Sequence, residues 1–392
     1  MIQVLKNGRT LLIAVFLWLG TSTGVLAFHN GGVGSCNGCH SMHGTGFAPS
    51  GPWLMKGTDP SSVCLNCHSG MGGPNSHRVA SPDGSAITPG GDFYWINKDF
   101  AWLNGTSPGE RHGHNVTAMD YGYTQDFTNA VAPGGTYAAN NLGCNSCHDP
   151  HGKVTGTHSS IAGSSSYGGI PPAGSILGNY RLLGNDGYSG GIQAGGFAFV
   201  NDAPVAVQNP LIPFGESDAS HVDYGSGVSE WCANCHPDFI IQEHGGLAGF
   251  EHPVNELLTT SYIDRYNSYV RTGDFSGVRD TAYLQFVPFE RGIVDASLLN
   301  PTSTMGPDSN SRIMCLTCHR AHGSAFVYGG RWDLKAPSIA ESHPQAGDGG
   351  VYGNDISNAY YGRDILTEFG AGQKAFCDKC HDVPLDGFPS GW

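Results

Sequence analysis

The chain has 392 residues, with 59 Gly and 23 Pro but only 13% charged residues, and its 33 acidic and 19 basic side chains give a formal net charge of −14. That balance excludes a nucleic-acid partner, which needs clustered Lys and Arg, and the Gly/Pro content speaks against long helices and strands. A polypeptide this poor in regular structure struggles to bury enough apolar surface to offset its chain entropy, so something besides side chains is expected to supply a core.

Taken in order, residues Met1 to Ala27 read as a secretory signal. Lys6 and Arg9 precede an apolar run from Leu11 to Leu19, and Val25-Leu26-Ala27 forms a small-residue cleavage site. The run is short for a spanning helix, and no later stretch reaches the roughly 18 apolar residues required. The mature chain is expected to begin near Phe28 and to form one domain over 28–392.

Close behind the signal stands Cys36-Asn-Gly-Cys39-His40-Ser-Met-His43. Two thiols at this spacing can add to the two vinyl groups of one haem, and the histidine that follows binds its iron from one side. On a short helical turn His40 and His43 share a face, with β-carbons about 5–6 Å apart. Axial ligands of one haem approach from opposite faces, so His43 is expected to serve a different iron.

The unit recurs as Cys64/Cys67/His68, Cys144/Cys147/His148, Cys232/Cys235/His236, Cys315/Cys318/His319 and Cys377/Cys380/His381, which uses all 12 cysteines. Neither a disulfide framework nor a zinc site needs a histidine after every second cysteine. Six covalently attached haem c groups are therefore expected. The trailing histidine recurs too, as His151 and His322, each three residues past a motif histidine. If these are ligands, adjacent irons lie on the order of 10 Å apart, which suits electron hopping.

Between the motifs run loop-rich segments. The stretch from Pro82 to Asn141 holds His112 and His114, of which one is expected to be a ligand. Gly152 to Gly227 carries turn signals such as Gly184-Asn-Asp-Gly-Tyr188. Helical spacing predicts a helix over Val254 to Val270, with Leu257, Leu258, Tyr262, Tyr266 and Tyr269 on one side and Gly273 as its stop, and a second over Ala359 to Phe369. With no convincing alternation for a sheet and no clear linker, the fold class is a multihaem cytochrome c. It is mostly coil with a few short helices and little or no sheet, wrapped around a continuous chain of six haems.

Of 18 histidines, six follow motif cysteines, and His29, His43, His77, His112, His114, His151, His158, His221, His244, His252, His322 and His343 remain. Methionine ligation would raise the potentials, but the Met residues are scattered. Bis-histidine ligation throughout is expected, with low potentials and no open iron. That describes an electron-transfer protein rather than an enzyme. A multihaem reductase would need a five-coordinate haem, and no C-x-x-C-K unit occurs here.

Nearly end to end, the chain resembles the filament-forming outer-surface hexahaem c-type cytochromes of metal-reducing bacteria. The resembling segments run from Phe28-His-Asn-Gly-Gly-Val through CNGCHSMH, then SSVCLNCH, TPGGDF and GERHGHN. They continue with APGGTYAANNLGCNSCHDPHGK, SEWCANCH, YNSYVRTGDFSG, CLTCHRAHG and AYYGR. The resemblance implies secretion to the outer cell surface and head-to-tail polymerisation. It also implies electron flow from donors at the cell surface to extracellular acceptors such as iron oxides. It further implies that His43 ligates the fifth haem of a neighbouring protomer, opposite His319. His151 is then expected opposite His68 and His322 opposite His381. His77, His114 and His252 fall to the first, third and fourth haems. His29 stands in reserve. His244 competes with His252, because Pro237-Asp-Phe-Ile carries no histidine where the family has one.

Overall fold

A computed structural model describes residues 36–41, 54–70, 77–150, 180–191, 197–208, 215–240, 254–370 and 376–381. The signal region, His29, His43, His151, His158, His244 and His252 lie outside the described residues.

Turns and 3-10 segments dominate, and the regular elements are small. Eight α-helices are described: α1 Cys36–Cys39, α2 Pro60–His68, α3 Cys144–Cys147, α4 Val228–Cys232, α5 Thr260–Ser268, α6 Cys315–Cys318, α7 Asp355–Ala359 and α8 Ile365–Phe369. Strands β1 (Phe100–Trp102) and β2 (Gly105–Ser107) form one antiparallel pair, with Trp102 opposite Gly105. β3 (Val205–Gln208) and β4 (Val222–Ser226) form the other. Among the described residues no helix is long and apolar enough to cross a membrane.

Both predicted helices are shorter than expected. The first begins only at Thr260, because Asn255 is left-handed at φ 71°. The backbone there is already committed: Asn255 N–H donates to the Ile313 carbonyl and Leu258 N–H to that of Ser311. Leu257 is exposed, while Tyr266 and Tyr269 are buried as the spacing predicts. The second is split into α7 and α8 by Tyr361 and Gly362 at φ 58° and 77°. Asp364 restarts it, accepting the Thr367 N–H at 3.1 Å, as an N-cap carboxylate does.

Side chains supply more core than the composition implies. The largest cluster gathers Trp95, Phe100, Tyr266, Tyr283, Phe286, Phe289, Phe326, Trp332, Phe369 and Phe376, with Cys318 and Cys380 packed against it. Two smaller clusters centre on Leu65, Phe93, Ile96 and Val116, and on Tyr180, Val222, Tyr224, Val228 and Met314. Aromatic rings bury about 150–250 Å² each, so a few of them serve where long helices are missing. Each cluster lies against cysteine-motif residues.

Candidate haem-attachment sites

Two pairs of motifs are joined by the same bonds. In the second and third motifs, Ser61 Oγ accepts the Cys144 N–H at 2.9 Å. In the fourth and fifth, Ser229 Oγ accepts the Cys315 N–H at 3.1 Å. Each serine stands three residues before the first cysteine of its motif, in SSVC and SEWC. Within the partner motif a hydroxyl closes the turn. Ser146 Oγ accepts the Gly143 N–H at 2.9 Å, and Thr317 Oγ1 accepts the Met314 N–H at 3.1 Å. The sulfurs of Cys64 and Cys144 lie within hydrogen-bond distance, as do those of Cys232 and Cys315.

Electrostatic neighbours extend the series. Cys39 acts on Cys64, Cys235 on Cys147, and Cys377 and Cys380 on Cys318. The motifs therefore follow one another in space in their chain order. Burial pushes the Cys235 and Cys380 thiols up to about 12 and Cys377 up to about 11.

Cys67 departs from this setting. The motif pattern treats all the cysteines alike, yet Cys67 is exposed, whereas the other cysteines whose burial is described are partly buried. The reason lies in α2, which buries Ser61, Ser62, Val63 and Leu65 and nothing beyond them. Its packed face ends before its last turn, so Asn66 and Cys67 stand at the surface. The second attachment point of this site is therefore not enclosed by protein as its equivalents are. A thioether needs a reachable thiol rather than a buried one, so the exposure leaves the attachment chemistry open to Cys67.

Four motif histidines are locked in one tautomer. His68 Nδ1–H donates to the His77 carbonyl at 2.7 Å, His148 to Arg181 at 2.7 Å, His236 to Pro133 at 2.7 Å, and His319 to Tyr328 at 2.8 Å. A carbonyl only accepts, so Nδ1 carries the proton and the Nε2 lone pair is left to bind iron. Arg181 and Tyr328 adopt left-handed conformations at φ 49° and 63°. Such conformations are costly away from Gly, and here they sit where a carbonyl is aimed at a motif histidine. Burial also holds His68, His236 and His319 below the ordinary imidazole range, which favours the neutral ring a metal needs.

The helical reading of His-x-x-His does not hold where it is described. α6 ends at Cys318, and His319 is extended at φ −116°, ψ 161°. His148 is extended as well, at φ −99°, ψ 126°. The trailing histidine nevertheless turns to another motif. The His322 ring faces His148, with centroids 6.3 Å apart and planes at 54°, and it stacks on Phe93 at 4.7 Å. It does not meet His381, whose ring instead contacts Tyr262 at 5.2 Å. His114 lies against His236 with centroids 6.0 Å apart, not against His148 as expected. Two imidazoles on opposite sides of one iron, each nitrogen about 2 Å from it, have ring centroids about 6 Å apart. Both pairs fit that span.

The cause of the exchange is a tight backbone crossing. His114 N–H donates to the His322 carbonyl at 3.0 Å, and His114 Nδ1–H to that of Ala321 at 2.6 Å. A Cβ on Gly113 would lie 2.1 Å from the His322 carbonyl oxygen, so glycine is what allows the two histidine segments to touch. His112 is used otherwise. Its Nδ1–H donates to the Trp95 carbonyl at 3.0 Å, and Nε2 accepts from Ser107 Oγ at 2.6 Å. His221 and His343 are likewise engaged, His221 with the Val222 and Ser303 carbonyls and His343 with Asp348.

Two charged features had no sequence signal. Arg320 and Arg331 share Glu216, at 3.5 and 3.6 Å, with all three side chains at most 1% exposed. Lys379, inside the last motif, is buried, and burial draws it down to about 8.

Paired cysteines, tautomer-locked histidines and facing imidazoles strung through a coil-rich chain define a multihaem c-type cytochrome. No protein-family model matches the chain. It is 38% identical over 437 aligned residues to C-type cytochrome OmcS of Geobacter sulfurreducens, covering 96% of this chain and 99% of that protein. Two solved structures from the same organism, an outer membrane cytochrome S filament and OmcS nanowires seen by cryo-electron microscopy, match it with TM-scores of 0.73. Identity to each is 37%, over 90% of this chain and 99% of theirs. The chain belongs to the OmcS family of c-type cytochromes.

Proposed function

We propose that this protein is a secreted electron-transfer cytochrome that holds six haem c groups and polymerises head to tail outside the cell, passing electrons to extracellular acceptors such as iron oxides. Bound haem supplies one-electron exchange at iron. The chain's part is to fix where each iron sits and to close its sixth position. The observation that carries the reading is the linked pair of facing imidazoles, His148/His322 and His114/His236. Neighbouring sites are joined there by a backbone hydrogen bond. The filament structures of the relatives support assembly.

The two pairs also supply a rule. A trailing histidine serves the site two places back: His322, after the fifth motif, faces the third. Applied again, His151 completes the first site, opposite His40. His43 then steps back past the start of the chain, to the fifth site of a neighbouring protomer, opposite His319. A linker histidine serves the site two places ahead: His114, after the second motif, faces the fourth. His252 or His244 then completes the sixth site opposite His381. His29 completes the second opposite His68, in place of His151, and His77, expected at the first site, instead offers its carbonyl to His68.

Electron microscopy and the spin state of the haems test this together. His43→Ala is expected to keep six covalent haems but to shorten filaments and leave one haem per protomer high-spin. His29→Ala is expected to create a high-spin haem, and His77→Ala is not. Filaments of normal length with every haem low-spin in His43→Ala would overturn the cross-protomer ligand. A wild-type iron that readily binds cyanide would favour a reductase instead.

A further inference from the structure

The sixth motif departs from the other five in what lies between its cysteines. The others carry Asn-Gly, Leu-Asn, Asn-Ser, Ala-Asn and Leu-Thr, all uncharged, whereas the sixth carries Asp378-Lys379. Lys379 is only 3% exposed. Its Nζ donates to the Tyr266 carbonyl at 3.1 Å and the Tyr269 carbonyl at 3.2 Å, and lies 4.2 Å from the Tyr266 ring centroid. Those carbonyls stand at the C-terminal end of α5, the negative end of the helix dipole, and a π face favours a cation. Two carbonyls and a ring face thus surround the ammonium where burial alone would disfavour it. Lys379 is the leading charge acting on Cys380, with Arg265 a second cation acting on both Cys380 and His381.

We propose that Lys379 is a tuning residue that raises the reduction potential of the haem held by Cys377, Cys380 and His381. The inference rests on the six-haem reading above. One electron passes from the fifth site to the sixth, ferrous becoming ferric at one and ferric becoming ferrous at the other, with no bond or proton exchanged at Lys379. Reduction adds a negative charge near this buried cation, which forms no salt bridge among the described residues, although the Asp218 charge acts on Lys379 and the Asp378 charge on Cys377. Through about 10 Å of protein, a unit charge changes such an equilibrium by roughly tenfold, equal to about 59 mV for one electron. The C-terminal site thereby accepts electrons more readily than it would with a neutral side chain, and the steps along a protomer become unequal.

The test is a potentiometric titration of the intact holoprotein at pH 7, followed in the haem bands, with haem number counted by mass. In Lys379→Met, one sixth of the amplitude is expected to move to lower potential by a factor of about ten, or about 59 mV. Lys379→Arg is expected to keep the wild-type curve. An unchanged curve in Lys379→Met overturns the proposal, as does an equal shift in Lys379→Arg. Lys379→Gln supplies the same comparison if the methionine variant fails to accumulate. Fewer than six haems in the wild type would instead overturn the six-haem reading, and the mass count reads that independently.

Discussion

The module of the second and third motifs and the module of the fourth and fifth are near copies in their hydrogen bonds but not in how their first helices are held. In each, a serine accepts the amide of the partner motif's first cysteine, across 83 residues in one and 86 in the other. In each, the second motif's histidine is oriented by a left-handed residue, Arg181 or Tyr328. The caps differ. α2 is capped locally by Asp59, which accepts the Ser62 N–H at 2.8 Å. α4 starts at a left-handed Gly227, and its Val228 N–H is taken at 2.7 Å by Glu290, 62 residues away and wholly buried. The same attachment geometry can thus rest on a neighbour in sequence or on a distant buried carboxyl. Only the second arrangement ties the module to the aromatic core. The first leaves the end of its helix, with Cys67, at the surface. Each module also lends the other a histidine, His114 in one direction and His322 in the other, so neither pair of rings is complete without both.

The exchange can be broken at its crossing. Gly113→Ala is expected to have the largest effect, because its Cβ has nowhere to go but into the His322 carbonyl. Overpacking of this kind costs about 3 kcal/mol. The holoprotein should show high-spin character at two haems at once, since His114 and His322 move together. Loss at only one haem in the spectra would mean that the two halves are not coupled through the crossing.

The unequal caps predict a pH effect confined to one module. Burial pushes Glu290 up to about 7, from an ordinary value of 4.5. A carboxyl whose folded pKa is raised contributes stability below its unfolded pKa and loses it as pH rises towards the folded one. This contribution should fall by roughly 2–3 kcal/mol between about pH 4.5 and 7. Glu290→Gln keeps an acceptor for the Val228 N–H and removes the charge. Its thermal midpoint should therefore exceed the wild type's at pH 8 and vary less with pH. Equal pH slopes in the two proteins would discount the buried cap.

The smallest effect sharpens the likeness of the modules. Ser61→Ala and Ser229→Ala each leave one cysteine amide without its acceptor, and each should cost about 1 kcal/mol in denaturant unfolding. A large effect at one serine and none at the other would mean that the matching hydrogen bonds do unequal work.

The attachment chemistry was legible in the sequence, because two cysteines and a histidine are local in the chain and their spacing alone specifies a covalent haem site. The coil-rich fold class was legible too, from Gly, Pro and the lack of periodicity, and it agrees with the relatives' structures. Helix ends were less so. Asn255 and Tyr361 take left-handed conformations that nothing local demands, and tertiary backbone pairing supplies the reason for the first. The partners of the motif histidines were not legible. A second axial ligand must arrive from the opposite face, and the chain is free to bring it from any distance. His114 reaches His236 and His322 reaches His148 because residues 112–114 and 322–324 cross at glycines. The sequence by itself determined what the chain binds and in what order. Only the tertiary structure decided which remote histidine faces the third and fourth sites, because that choice depends on close packing between segments that no local spacing records.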